Sequence, residues 1–182
     1  MPINLRSLAN AVRTSVRVLQ KFRTGATRSA GPRTPVPARQ AAPVRPAPHG
    51  VYPGDFAGAA SIRYAPQPDG SPDPGEIVWT WVPYEEDHAR GKDRPVLLVG
   101  KSGQSLLGVM LTSRDHDHAG NGSGDYVDIG TGSWDRQQRP SEANLGRILQ
   151  ISPDAIRREG AVLDRKRFDL VAAGIRRRHG WK

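Results

Sequence analysis

Cysteine is absent from this 182-residue sequence, which excludes disulfide bonds, thiolate metal sites and cysteine nucleophiles. No apolar run approaches the roughly 20 residues that a membrane-spanning helix needs. Residues 1–24 also lack the unbroken apolar region of a secretory signal peptide. Hydrophobic residues make up only 36% of the chain, which is low for a sequence that folds along its whole length. We therefore expect a cytoplasmic protein with one folded domain and additional flanking sequence.

Acidic residues are absent from the first 50 positions, whereas nine basic residues occur there. These nine account for the whole formal net charge of +9, so the remaining 18 basic and 18 acidic residues cancel. A strongly basic protein often binds nucleic acid. In this chain that indication applies to the N-terminal arm, and the rest must be judged from local patterns.

The sequence divides into three parts. Apolar residues spaced by three or four predict a basic amphipathic helix within residues 1–24, and contact of this helix with a membrane or nucleic acid is one hypothesis for its role. The alternatives are a marginally stable helix on a disordered arm, or translation from an incorrectly assigned start codon. Residues 25–73 read as a mostly disordered linker rich in Pro and Arg. Residues 74–182 form the predicted domain, and five linker residues are candidates to pack on its edge: Val51, Tyr52, Phe56, Ile62 and Tyr64.

Short runs rich in Val, Ile, Leu and Trp predict strands at 75–83, 95–100, 105–112, 125–130 and 143–151. A turn or helix start is predicted at 152–156, and a final helix at 164–177. Trp79 and Trp81 alternate along the first strand and are predicted to lie in the core. The fold class is therefore α+β and mostly β, a small barrel with a C-terminal helix.

The connection between the first two predicted strands contains many ionisable residues of both signs: Glu85, Glu86, Asp87, His88, Arg90, Lys92, Asp93 and Arg94. Pro95 has a restricted φ angle and anchors Arg94 at the start of a strand. Thr112 and Ser113 add hydroxyl groups at the end of the third strand. A guanidinium, a hydroxyl and a proton carrier suffice for metal-free RNA cleavage, in which the ribose 2′-oxygen attacks the adjacent phosphate.

Three motifs carry a resemblance to a known family: PGEIVWTWVPY, KDRPVLLVG and GVMLTS, followed by GRILQISPDAIRREGAVLDRKRF. By these motifs the sequence resembles the PemK/MazF toxins of toxin–antitoxin systems. The resemblance implies a dimeric, SH3-like β-barrel of the PemK type. It also implies an endoribonuclease that cuts single-stranded RNA at short sequences, needs no metal or other cofactor and leaves a cyclic phosphate. It also implies an antitoxin partner with an acidic, disordered tail, and a bacterial origin agrees with the abundance of Arg, Ala, Gly and Pro.

The resemblance assigns catalytic roles to Arg94, Thr112 and His88. The substrate-binding candidates are Glu86, Lys92, Ser113, Trp134 and Arg147. Trp134 is chosen because an aromatic residue in a loop beside arginines suits the stacking of single-stranded bases. Glu142 and Asn144 depart from the family, because some members have an arginine and an aspartate near these positions.

Two other functions fit the same fold. One is a binding module for RNA or protein that does not cut, which the departures at Glu142 and Asn144 favour. The other is a toxin that acts on a topoisomerase, as fold relatives do. His116 and His118 lie in a sequence rich in Gly and Asp that we interpret as a solvated loop, and we expect no metal site there.

Overall fold

Antiparallel strands form most of the structure, a computed structural model that describes residues 45–46, 52–67, 69–113 and 124–182. The elements are β1 Arg45–Pro46, β2 Glu76–Pro83, β3 Arg90–Ser102, β4 Ser105–Thr112, β5 Tyr126–Gly130, β6 Ser141–Asn144, β7 Leu149–Ile151, β8 Ile156–Val162 and α1 Arg165–His179. The helix predicted within residues 1–24, Val51 and the pair His116 and His118 lie outside the described residues.

The strands form one eight-stranded sheet in the order β5-β6-β4-β3-β2-β8. β7 pairs with β4, and β1 pairs with β3. Strand β4 therefore has β3 on one side and both β6 and β7 on the other, so the sheet curls into a half-barrel. This arrangement confirms the predicted mostly β fold with a C-terminal helix.

Apolar side chains pack on both faces of the sheet, because successive residues of a strand point to opposite sides. Leu97 and Val99 belong to a core that includes Phe168, Val171 and Ile175 of α1. Val96 and Leu98 alternate with them and belong to a second, smaller apolar cluster on the other face. This second cluster also contains Val78, Val82, Leu106, Leu149 and Ile151.

Helix α1 begins and ends at residues suited to those positions. The Asp164 side chain accepts a hydrogen bond from the Arg167 amide at 3.0 Å. Gly180 ends the helix with φ of 68°, a left-handed conformation that glycine adopts without strain. The predicted helix is therefore confirmed, and it ends two residues later than expected.

The predicted strand 143–151 is interrupted. The Asn144 side chain accepts the amide hydrogen of Gly146 at 2.8 Å, and the resulting turn separates β6 from β7. Strand β8 is an element that the sequence did not predict, because Pro153 indicated a helix start. Only a short 3-10 turn, Pro153–Ala155, forms there, and the chain then pairs with β2.

Tyr52, Phe56, Ile62 and Tyr64 pack against the two apolar clusters, as the sequence indicated for this part of the linker. The division of the chain at residue 74 itself stays a prediction. Trp79 and Trp81, in contrast, are only partly buried, so their assignment to the core was wrong. No helix among the described residues is long and apolar enough to cross a membrane.

Candidate active site

The register of the sheet brings Arg94 and Thr112 to the same level. Arg94 on β3 lies directly opposite Thr80 on β2, and Val96 lies opposite Met110 on β4. Continuing the second register by two residues places Arg94 level with Thr112. Residues that are opposite in an antiparallel pair point to the same face of the sheet. Arg94 and Thr112 therefore belong to one row of side chains.

The row continues onto the next two strands. Thr112 lies opposite Glu142 on β6, and Glu142 lies opposite Asp128 on β5. Thr112 is 7% exposed and Glu142 is 9% exposed, so they form the floor of the site. Among the described residues, no fully buried side-chain polar atom lacks a hydrogen-bond partner. We call Thr80, Arg94, Thr112 and Glu142 the polar row.

Arg94 supplies the positive charge of the polar row. Its side chain is partly exposed, and within the described part of the chain it forms no ion pair or hydrogen bond. The adjacent Asp93 points to the opposite face and pairs with Arg157 at 2.7 Å. Lys92 lies two residues before Arg94, opposite Val82, and so adds a second cation on the same face. This face suits an anionic ligand.

The polar row combines the groups that phosphate chemistry needs. A guanidinium binds phosphate oxygens in a fixed geometry. Thr112 contributes a hydroxyl and Glu142 a carboxylate, which are groups that position a substrate and accept a proton. The sequence treated Glu142 only as a departure from the family pattern. Its place beside Thr112 depends on strand register, and no local motif encodes that register.

The polar loop is shorter than predicted, because β3 begins at Arg90. Residues 84–89, which we call the His88 loop, form a tight turn. The amide of Tyr84 donates to the Arg90 carbonyl oxygen at 2.8 Å, and the amide of Ala89 donates to the Asp87 carboxylate at 3.0 Å. Glu86 and His88 are exposed in this loop, whereas Lys92 and Arg94 lie on the strand.

His88 contacts a residue that precedes the predicted domain. Its ring lies edge-on to Tyr52, with 5.1 Å between the ring centroids. The Tyr52 hydroxyl donates to Asp55 at 2.7 Å. Arg147 donates to both carboxylate oxygens of Asp55, at 2.7 and 3.0 Å, and to the carbonyl oxygen of Pro83 at 3.0 Å. These residues form what we call the Asp55 cluster: Tyr52, Asp55, Pro83, His88 and Arg147.

The Asp55 cluster changes the expected role of Arg147. Its side chain is only 12% exposed, and Asp55 and Pro83 already use its guanidinium. The structure thus gives Arg147 contacts that hold the fold together, and its binding of the substrate stays a prediction. The sequence did not show this, because Asp55 is 92 residues away along the chain.

The Asp55 cluster shifts the pKa values of its members. Burial by itself would raise the pKa of Asp55, but the hydrogen bonds from Arg147 and Tyr52 outweigh it, and the pKa lies below its ordinary value. Burial, followed by the hydrogen bond to Asp55, raises the pKa of Tyr52. Burial would lower the pKa of Arg147, but the Asp55 carboxylate raises it. At neutral pH the carboxylate of Asp55 and the guanidinium of Arg147 are therefore both fully charged.

We expect the protein to lose stability in acid through Asp55. Its folded-state pKa is below the unfolded value of about 3.9. The stabilisation is therefore complete above about pH 4 and is lost as the pH falls through the folded pKa. Thermal melting between about pH 2 and pH 6 should show a falling melting temperature in acid. The fall should be smaller in an Asp55→Asn variant.

Asp169→Asn is the control for this measurement, because it removes a carboxylate from an exposed ion pair on α1. Asp135 has a pKa lowered chiefly by the hydrogen bond from Arg139, so part of the acid dependence should survive in Asp55→Asn. Equal acid slopes for the wild type and Asp55→Asn would contradict the role given to Asp55.

Trp134 is buried, which corrects its predicted role in base stacking. It is 4% exposed and belongs to the core with α1. Its indole nitrogen donates to the Ser141 hydroxyl at 3.1 Å, and its carbonyl oxygen accepts from Trp79. A base cannot reach this ring. Loop sequence and neighbouring arginines suggested exposure, but the loop folds inward.

Of the predicted site residues, Arg94, Thr112 and Lys92 lie on one face of the sheet. His88 and Glu86 lie in the adjoining loop, and Ser113 is exposed directly after β4. Within residues 52–67, 69–113 and 124–182, there is no group of three or more His, Asp or Glu residues that could hold a metal ion.

Comparison with known families gives a match over more than half of the chain. The family described as PemK-like, MazF-like toxin of type II toxin–antitoxin systems matches residues 73–178. This range contains the polar row and the His88 loop, but neither Tyr52 nor Asp55. No curated protein matches the sequence.

Three solved structures are similar to this chain at low identity. An endoribonuclease in complex with its cognate antitoxin, from a mycobacterial species, has 13% identity and a TM-score of 0.47, and the match covers 60% of this chain and 96% of that one. A MazE–MazF complex from Deinococcus radiodurans has 15% identity and a TM-score of 0.45, covering 62% and 98%. The Mycobacterium tuberculosis toxin MazF-mt6 has 14% identity and a TM-score of 0.42, covering 59% and 98%.

Proposed function

Because the chain belongs to the family of PemK-like, MazF-like toxins of type II toxin–antitoxin systems, we propose that it is an endoribonuclease. It cuts single-stranded RNA at a short recognition sequence and needs no metal ion. The observation that carries the proposal is the polar row, in which Arg94, Thr112 and Glu142 share one face of the sheet.

Each member of the polar row has a role in the proposed reaction. Glu142 accepts the proton of the ribose 2′-hydroxyl, and the 2′-oxygen attacks the adjacent phosphorus. Thr112 positions the phosphate, and Arg94 stabilises the charge of the phosphorane. The bond from phosphorus to the 5′-oxygen then breaks, and a proton from His88 neutralises the leaving oxygen. The products are a 2′,3′-cyclic phosphate and a 5′-hydroxyl.

We expect the full-length protein to cleave a mixed-sequence RNA in EDTA at a rate within about twofold of the rate without chelator. Arg94 supplies the cation in this mechanism, so removal of divalent metal leaves the proposed chemistry intact. The measurement is gel analysis of end-labelled RNA, with identification of the cyclic phosphate. A DNA of the same sequence is the matched control, because it lacks the attacking 2′-hydroxyl.

EDTA-sensitive cleavage, or cleavage of the DNA control, would contradict the proposal. A second candidate function is a binding module that does not cut. Asn144 favours it, because this residue departs from the family pattern and its side-chain oxygen accepts the amide hydrogen of Gly146 in a turn. RNA binding by folded protein without cleavage would establish that function instead, with the affinity falling steeply as salt rises.

The partners of the proposed enzyme follow from the family and from the charge of the site. We propose a cytoplasmic, bacterial homodimer controlled by a cognate antitoxin. Lys92 and Arg94 place two cations on the substrate face, which suits contact with an acidic, disordered antitoxin tail as well as with RNA. The predicted contact of residues 1–24 with a membrane or nucleic acid remains a separate proposal.

A further inference from the structure

Residues 52–67, which we call the belt, precede the family match at 73–178 and pack along the folded domain. Phe56 lies edge-on to Trp181 at 5.6 Å between ring centroids. Tyr64 packs on Phe168 at 5.0 Å and donates to the Leu163 carbonyl oxygen at 2.8 Å. The Arg63 amide donates to the Val99 carbonyl oxygen at 3.0 Å. The belt is therefore fixed to β3 and to the C-terminal helix region.

The belt also lies so close to strand β3 at Gly100 that a side chain would not fit between the belt and the strand. A Cβ atom at Gly100 would lie 2.8 Å from the Ser61 carbonyl oxygen. Glycine at this position therefore allows the belt to lie directly against β3. This close approach, together with the aromatic contacts, distinguishes the belt from a linker that only passes over the surface.

The first part of the belt reaches both ends of the His88 loop. Arg147, held by Asp55, donates to the carbonyl oxygen of Pro83, the residue before the loop. Tyr52, whose hydroxyl donates to Asp55, presents its ring edge-on to His88 near the end of the loop. The carboxylate of Asp55, which lies outside the family region, therefore binds both residues that contact the ends of the His88 loop: Arg147 and Tyr52.

Two arrangements of such a segment have opposite consequences. A removable cover would inhibit the site, and its release would raise activity. A fixed clamp would hold the loop in place, and its loss would lower activity. Tyr52 packs on the apolar cluster that contains Val82 and Leu149. Release of the belt would expose this apolar surface to water, which is unfavourable. The contacts therefore favour a clamp.

We propose that Tyr52 and Asp55 are positioning residues that hold the His88 loop in its working conformation through Arg147. This inference rests on the proposed function, since it concerns the loop that carries a proposed proton donor. Proton transfer needs the donor within hydrogen-bond reach of the leaving oxygen. A loop that samples other conformations spends less time in that geometry, so the catalytic rate should fall more than substrate binding.

The test compares full-length Asp55→Asn with the wild type by two independent measurements. Asparagine keeps the shape of the side chain and removes its charge. The first measurement is hydrogen exchange at the amides of Tyr84, Ala89 and Arg90, all of which are hydrogen-bonded in the loop turn. We expect exchange there to become about tenfold faster, while the strands of the core are unchanged.

The second measurement is RNA cleavage. We expect kcat to fall about tenfold and KM to stay within about twofold. Tyr52→Phe keeps the ring on His88 but removes the hydroxyl that donates to Asp55, so it should show smaller changes in the same direction. The matched control is Asp169→Asn, which breaks an exposed ion pair on α1 and should leave loop exchange and kcat unchanged.

Three results would overturn the clamp. Unchanged loop exchange in Asp55→Asn would show that the loop is held by other contacts. An increase of kcat would identify the belt as a cover. In Asp55→Asn, hydrogen exchange could become faster evenly over the whole domain, with no separate change in the His88 loop. That result would show that Asp55 stabilises the fold in general. Recovery of loop protection by a charge swap, Asp55→Arg with Arg147→Asp, would support the clamp.

Failure of the proposed function would be visible separately. If the wild type does not cleave RNA, the endoribonuclease assignment fails. The exchange measurement still decides whether Asp55 holds the loop, because it does not depend on a substrate.

Discussion

Replacement of Arg94 by alanine should lower the rate of RNA cleavage by a factor of about 10² to 10³, the cost of removing one donor that stabilises transition-state charge. Arg94 is the guanidinium of the polar row, and within the described residues no carboxylate pairs with it. The fold should survive, because the side chain is partly exposed and holds no described contact together. Single-turnover cleavage with saturating enzyme measures the effect on the chemical step.

Arg165→Ala is the matched control for Arg94→Ala. Arg165 begins the helix that packs against the opposite face of the sheet, and its ion pair with Asp169 is exposed. Its removal should leave cleavage unchanged. Thermal melting of both variants separates loss of catalysis from loss of structure. Full activity of Arg94→Ala with an unchanged melting temperature would refute the assignment of the active site.

Removal of residues 1–69 should destabilise the domain by about 3–6 kcal/mol, because it deletes the partly buried side chains of Tyr52, Phe56, Ile62 and Tyr64. Domains of this size are stable by only about 5–15 kcal/mol. The shortened chain should therefore lose a large share of its stability, even though it retains the whole family region 73–178. Circular dichroism and urea unfolding measure the loss.

Removal of residues 1–43 alone provides the comparison, because this chain keeps the belt and strand β1. We expect its free energy of unfolding to exceed that of chain 70–182 by the full 3–6 kcal/mol estimated from the buried side chains. Equal free energies of unfolding for the two shortened chains would show that the belt contributes little to stability. In that case the fold would begin at the family boundary.

Local sequence patterns were sufficient for most elements of the fold. Runs of Val, Ile, Leu and Trp located β2, β4 and β5, and the spacing of Phe168, Val171 and Ile175 located α1. Interactions between residues close in the sequence determine these elements, because the alternation of side chains in a strand and the spacing of apolar residues in a helix are both set within a few residues. The same reasoning failed at β8. There, Pro153 indicated a helix start, but pairing with β2 determined the outcome.

The sequence by itself also identified the two residues at the centre of the proposed chemistry, since the arginine before Pro95 and the hydroxyl at Thr112 follow from the motifs. Only the tertiary structure decided which other residues join them. Strand register placed Glu142 in the polar row, inward folding buried Trp134, and Asp55 engaged Arg147. These outcomes depend on contacts between residues far apart in the chain, and no local pattern encodes such contacts.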